Sequence, residues 1–302
     1  MEAVVDGTDP RVRIVGSYLR RLRGSARVLL DYVEELANDI PDPIVITRAA
    51  FTADAQLNAF FVNADDMLQV LGESRTLRSF LKKHSESDVP EVYALLLMRK
   101  QEKRTLGMGL RGDAVVRDMV QTAVNFSSHR ICAPCATAHE LRQGLKQYLF
   151  DRFVAYVRRE MQQAGAVGTP AEASVAKNDE PHGPTPNAAR ATTDSSGAPA
   201  SRHISRVSGW EALGPKLYLD KLAGFLGRPH EALKLQSDRL VLNKMGLRVE
   251  ANAREAVNAF TLNAIALGER TPEIIVPVIV RRDEVPPPRD YLTEASRRLE
   301  TL

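Results

Sequence analysis

The chain has 302 residues, of which 44% are hydrophobic and 26% charged, with a formal net charge of +3. These values are ordinary for a globular protein with a buried core, and so small a net charge argues against an obligate polyanion binder. No apolar run has the length needed to span a bilayer. Met1 to Thr8 lack the charged-then-apolar pattern of an export signal, so the expected location is the cytoplasm, with no membrane partner. Thiols stay reduced there, and Cys132 and Cys135, the two cysteines of the chain, are not expected to form a structural disulfide.

The length exceeds one ordinary core and fits two domains. In chain order, the first element is a helix over about 11–38. Val15, Leu19, Leu22, Ala26, Leu29, Val33, Leu36 and Ile40 recur at alternating spacings of four and three, a heptad seam that packs inside the molecule or mediates a homodimer. Pro41 and Pro43 end it. A short extended piece, Ile44 to Thr47, precedes helical patterns near 53–71 and 75–83. The apolar run at 91–98 reads as a buried strand, with the charged residues Arg99 to Arg104 as its turn and 105–110 as the return strand. The β-branched residues of 115–126 favour a strand over a helix. A helix over 138–163 follows, opened by the capping box Thr137/Glu140 and carrying the stripe Leu141, Leu145, Leu149, Phe153 and Val157. It is expected to pack on the first helix.

Residues 165–203 are small, polar and rich in Pro and Gly. They cannot offset their ordering entropy by burial and read as a disordered linker. Beyond it, Trp210, Leu213, Leu217, Leu222 and Phe225 predict a helix stopped by Gly227 and Pro229, with Ser208 and Glu211 as its capping box. Strand-like pieces follow at 232–236, 239–243, 246–250, 258–267 and 273–280. Pro277 demotes the last to a sheet edge. Three prolines, 286–288, precede a helix over 290–301. The expected fold is therefore α+β with two lobes, 10–164 and 204–302, each a small, mainly antiparallel sheet with flanking helices, joined by the linker 165–203. Met108-Gly-Leu-Arg111 recurs as Met245-Gly-Leu-Arg248, which raises an internal duplication as a further reading.

Three motifs bear on chemistry. His129, Cys132, Cys135 and His139 offer two thiols and two imidazoles, the donor types of a closed zinc site, but all within eleven consecutive residues. Cys132-Ala-Pro-Cys135 resembles the dithiol of thioredoxin-like proteins over this local unit alone, and that resemblance implies a redox thiol activated at a helix N-terminus. The bland alternative is a pair of small residues in a loop leading to a capped helix. Gly107-Met-Gly109-Leu-Arg-Gly112 matches a dinucleotide fingerprint in form. It lacks both the preceding βαβ strand and the acidic residue about 20 positions on, so a hairpin with glycines in its turn or bulge is the better reading. In the first helix, Arg13, Arg20 and Arg27 lie seven apart and, with Arg23, form a basic flank for a phosphate backbone or an acidic protein surface.

No catalytic constellation emerges. The sequence points to a non-enzymatic adaptor or regulatory protein acting through protein or nucleic-acid contacts, with the basic helix as contact face and no cofactor. The alternative is a zinc or dithiol module at Cys132/Cys135.

Overall fold

The computed structural model describes residues 1–84, 89–111, 114–167, 209–249 and 257–287. Its N-terminal elements are the helix α1 (Glu2–Thr8), a 3-10 turn (Pro10–Ile14) and the helix α2 (Tyr18–Asp39). The single helix expected over 11–38 is thus broken at 15–17. The Asp9 side chain caps the 3-10 turn by accepting from the Arg11 backbone N–H, and Pro10 supplies a φ already suited to a first turn. The strand β1 (Ile44–Ile46) leads to four short helices, α3 (Arg48–Ala53), α4 (Ala55–Phe60), α5 (Ala64–Glu73) and α6 (Arg75–Lys83). Thr47, Asp54, Asn63 and Ser74 each cap one of them through a side-chain oxygen. These closely spaced caps cut the region expected as one helix near 53–71 into separate turns.

Two long strands follow, β2 (Glu91–Arg111) and β3 (Ala114–Cys135). The run Arg99 to Arg104, expected as a turn, is strand throughout, and the chain reverses beyond Arg111. It contains no Gly, Pro or Asn to turn on. The strand reading of 115–126 holds, and β3 continues through both cysteines. The helix α7 (Ala138–Val167) carries the expected capping box, with the Glu140 N–H donating to Thr137 Oγ1 at 3.2 Å. After α8 (Gly209–Leu213), α9 (Pro215–Gly227) and α10 (Pro229–Ala232) come β4 (Leu233–Asn243), β5 (Val257–Leu267) and β6 (Glu273–Arg281). Gly214, at φ +74°, and Pro215 divide the helix expected after residue 210. The pieces 232–236 and 239–243 merge into one strand.

The described residues on either side of 168–208 do not form two separate sheets. They share one, in the order β3-β2-β6-β5-β4, with β1 pairing β6 in parallel. The first half thus contributes β1, β2 and β3, and the second half's β6 lies between β1 and β2. The expectation of two independent lobes missed this because the pairing partners are 176 to 190 residues apart, from Met98↔Ile274 to Glu91↔Arg281. The expected linker 165–203 lies outside the described residues apart from its first three, which finish α7. The expected helix 290–301 and the Ser208 cap also lie outside them. Pro277 does not mark an edge: β6 is central, and Pro277 pairs with Leu95. On its other side β6 pairs β5 only at 273–274 and β1 only at 278–280. The proline occupies the gap between them, where a missing N–H costs no ladder bond.

β3 carries three register shifts against β2, and at each, one residue of β2 opposes two of β3. Asp118 (φ 63°), Ser128 (φ 60°) and Ala133 (φ 48°) fall within them. Such bulges bend a strand and increase its twist. The sheet curls until 246–249 bonds to both of its ends: the Arg248 N–H donates to Thr122 O at 2.8 Å, and the Val249 N–H to Val241 O at 3.0 Å. Met245 and Gly246 form a turn here, whereas Met108 and Gly109 lie in β2. The repeated Met-Gly-Leu-Arg therefore adopts two different backbones. One sheet face packs on α3 to α6 through Leu96, Met98, Leu242, Phe260 and Val278. The other packs on α2, α7 and α9 through Leu95, Leu97, Leu233, Leu267 and Ile275. From Leu22 onward the heptad seam lies inside this second core, with Leu22, Leu29, Val33 and Leu36 buried, whereas Leu19 is exposed and Val15 precedes α2; the expected contact with α7 forms.

Candidate functional site

The basic residues of the first helix are separated by the break before α2. Arg13 lies in the 3-10 turn, 2.7 Å from both Glu2 and Asp6, and its hydrogen bond, followed by one from Tyr18, holds the Glu2 carboxyl below the usual carboxylate range. Arg27 pairs with Asp31 at 2.9 Å, and the neighbouring Arg21 bonds Asp220 of α9. Arg20 and Arg23 are exposed and have no carboxylate partner among the described residues. The stripe read at a spacing of seven is therefore two free guanidiniums rather than a continuous flank. α1 and α9 supply the anions that the local sequence lacks.

His129, Cys132, Cys135 and His139 do not converge. His129 stacks on Phe61 at 4.7 Å between ring centroids and bonds Phe60 O at 2.9 Å, on the sheet face covered by α4. Burial lowers its pKa. The bulge at Ala133 brings both cysteines to the opposite face, against the core of α2, α7 and α9. Their spacing of three would otherwise place them on different faces. Burial raises the pKa of both thiols, that of Cys135 to about 11 with Glu140 adding to the effect. Neither is the acidic thiol that a dithiol catalyst needs. His139 is exposed in the first turn of α7. Among the described residues no group of three His, Cys, Asp or Glu side chains is arranged to hold a metal ion.

The feature that stands apart from the core is the outer part of the β2–β3 ribbon. Pairing of β2 with β6 ends at Met98, and pairing of β3 with 246–249 ends at Thr122. Among the described residues, 105–111 and 114–121 pair only with each other, which extends the ribbon roughly 20 Å beyond the sheet. Its base is fastened by charge. Lys100 reaches Asp238 at 2.6 Å and Glu102 at 3.0 Å, while Arg248 reaches the same two carboxylates at 3.3 and 3.2 Å. Farther out, Leu106 and Val120 are cross-strand partners, 65% and 67% exposed. Met108 is 69% exposed. Lys103, Arg104 and Arg117 flank this apolar group, with no carboxylate partner among the described residues. The Gln121 side chain lies across the ribbon, donating to Met108 O at 3.0 Å over Gly107, where a Cβ would collide with its Oε1.

Reading 99–104 as a turn hid this element. The available signals were the absence of turn residues there and the alternation of small and large residues from Thr105 to Leu110. No protein-family model matches the chain, and no curated protein or solved structure matches it either.

Proposed function

We propose that the chain is a non-enzymatic adaptor or regulatory protein that engages a protein partner through the free part of the β2–β3 ribbon. The observation that carries this reading is the Leu106–Val120 pair, with Met108 beside it, exposed on a two-stranded ribbon that no other described residue covers. Such a ribbon is marginal in water without a covering layer, and fully covering these side chains is worth about 1.5–3 kcal/mol each. Aliphatic side chains offer no stacking platform for bases, so a protein surface fits better than a single-stranded nucleic acid. Lys103, Arg104 and Arg117 call for an acidic rim on that surface.

Nucleic acid is the second reading. It draws on the same three cations together with Arg20 and Arg23. The zinc or dithiol alternative gains no support from histidines on different elements and thiols with raised pKa values.

A photo-crosslinkable residue in place of Met108, in the full chain, tests the contact in an extract of the source cells. Protein adducts that disappear in the Leu106→Ser/Val120→Ser variant are expected. Adducts unchanged by those substitutions, or adducts removed by nuclease, would defeat the proposal.

A further inference from the structure

A charged cavity lies between α7 and the β5–β6 turn. It encloses about 470 Å³ and is lined by Arg99, Tyr148, Arg152, Arg270, Thr271 and Glu273, with Ile265 and Leu267 as its apolar wall. Glu273 is only 8% exposed, and both its oxygens are engaged. Arg130 holds Oε1, while the Tyr148 hydroxyl and Arg152, at 3.2 Å, donate to Oε2. Arg152 also stands over the Tyr148 ring at 5.8 Å. Burial first, and then the bond to Glu273, pushes the Tyr148 pKa up, so the phenol stays a hydrogen-bond donor across the neutral range.

Satisfying one buried carboxylate accounts for Arg130 and Arg152. It does not account for Arg99 and Arg270, which line the same cavity without a carboxylate partner among the described residues. Among the lining residues, Arg99, Arg152 and Arg270 against Glu269 and Glu273 leave an excess of one positive charge, and Arg130 adds another behind Glu273. The volume falls within the range of small-ligand sites, roughly 300–1,000 Å³. Guanidinium forks match phosphate oxygens in geometry, the Thr271 hydroxyl adds a donor, and the wall of Ile265 and Leu267 suits an organic portion. Glu273 acts as an internal anion that holds Arg152 in place.

We infer that this cavity binds a small phosphate-bearing anion, held by Arg99 and Arg270 against the preset Arg152. The inference stands independently of the ribbon contact.

Isothermal titration of the full chain with inorganic phosphate, and separately with glucose 6-phosphate, at ionic strength matched with chloride tests it. Saturable binding of either probe is expected. Tighter binding of the sugar phosphate would identify an organic ligand, and equal binding free phosphate. The Arg99→Ala/Arg270→Ala variant leaves the bonds of Glu273 in place and should keep the wild-type unfolding midpoint while weakening binding at least about tenfold, as the loss of charge-assisted hydrogen bonds implies. Heat no different from that of chloride for both probes, or equal affinity in the variant, would overturn the inference.

Discussion

At the scale of single residues, burial rather than motif decides what the titratable groups do. The thiols of Cys132 and Cys135 sit on the packed face of β3, and burial raises both pKa values. Alkylation by iodoacetamide at neutral pH should therefore be slower than for a free thiol and should accelerate steeply as the pH rises. A fast reaction at neutral pH would revive the dithiol reading. His129 works in the opposite sense. Burial holds its pKa below 6.5, so the unfolded chain binds a proton there before the folded chain does. Stability is then lost as the pH falls through about 6.5 and on through the lowered folded value. His129→Phe keeps a ring against Phe61 and removes the titration. Urea midpoints measured between about pH 7 and 5 should fall less in this variant than in the wild type. At Gly268, φ is +59° and an added Cβ would lie 2.8 Å from the Tyr156 ring. Gly268→Ala is expected to cost about 1–3 kcal/mol in chemical denaturation. The cysteine and histidine motif was visible in the sequence, but its meaning was not. One extra residue at Ala133 determines which face each side chain takes, and a positive φ at a non-glycine position leaves no mark in the sequence.

At the scale of elements, the helices were the most legible part. The period of Leu22, Ala26, Leu29, Val33 and Leu36 marks the buried face of α2, and the Thr137/Glu140 box starts α7 where it was expected. Leu29 is fully buried and its neighbour Leu30 is 50% exposed. Leu29→Ala should thus cost roughly 2–5 kcal/mol and Leu30→Ala less than about 0.5 kcal/mol, both read from denaturant unfolding. The strands were harder. The charges of 99–104 resemble a turn because they lie where β2 leaves its neighbour β6, and alternate ones are then used to fasten the ribbon to Asp238 and Arg248. Pro277 reads as an edge residue because a local pattern does not reveal that β5 and β1 share one side of β6. Among its described side chains, the ribbon from Thr105 to Gln121 adds nothing to either core. Arg104 and Thr122 are register partners, so replacing 105–121 by Asn-Gly closes a two-residue hairpin. The shortened chain should keep its unfolding midpoint within a few degrees, about the effect of 1 kcal/mol in a protein of this size. Loss of cooperative unfolding would show the ribbon to be structural.

At the scale of the whole molecule, the two halves read as lobes because each has its own helices and strands in sequence, and nothing local shows that β2 and β6 are partners. Both cores draw on both halves. Leu29, Phe153, Leu222 and Ile275 belong to one, and Phe60, Leu96, Phe260 and Val278 to the other. Among the described residues no helix is long and apolar enough to cross a membrane. Without 209–287, the first half would expose the β2 edge that β6 covers and the face of α2 that α9 covers, and neither core could close. Separate expression of 1–167 and 209–302, against co-expression of the two fragments, tests this dependence most directly. Each fragment alone should lack a cooperative thermal transition, and the pair should recover as a one-to-one complex that melts in a single transition. A fragment 1–167 that unfolds cooperatively by itself, with the same midpoint whether or not 209–302 is present, would contradict the shared sheet.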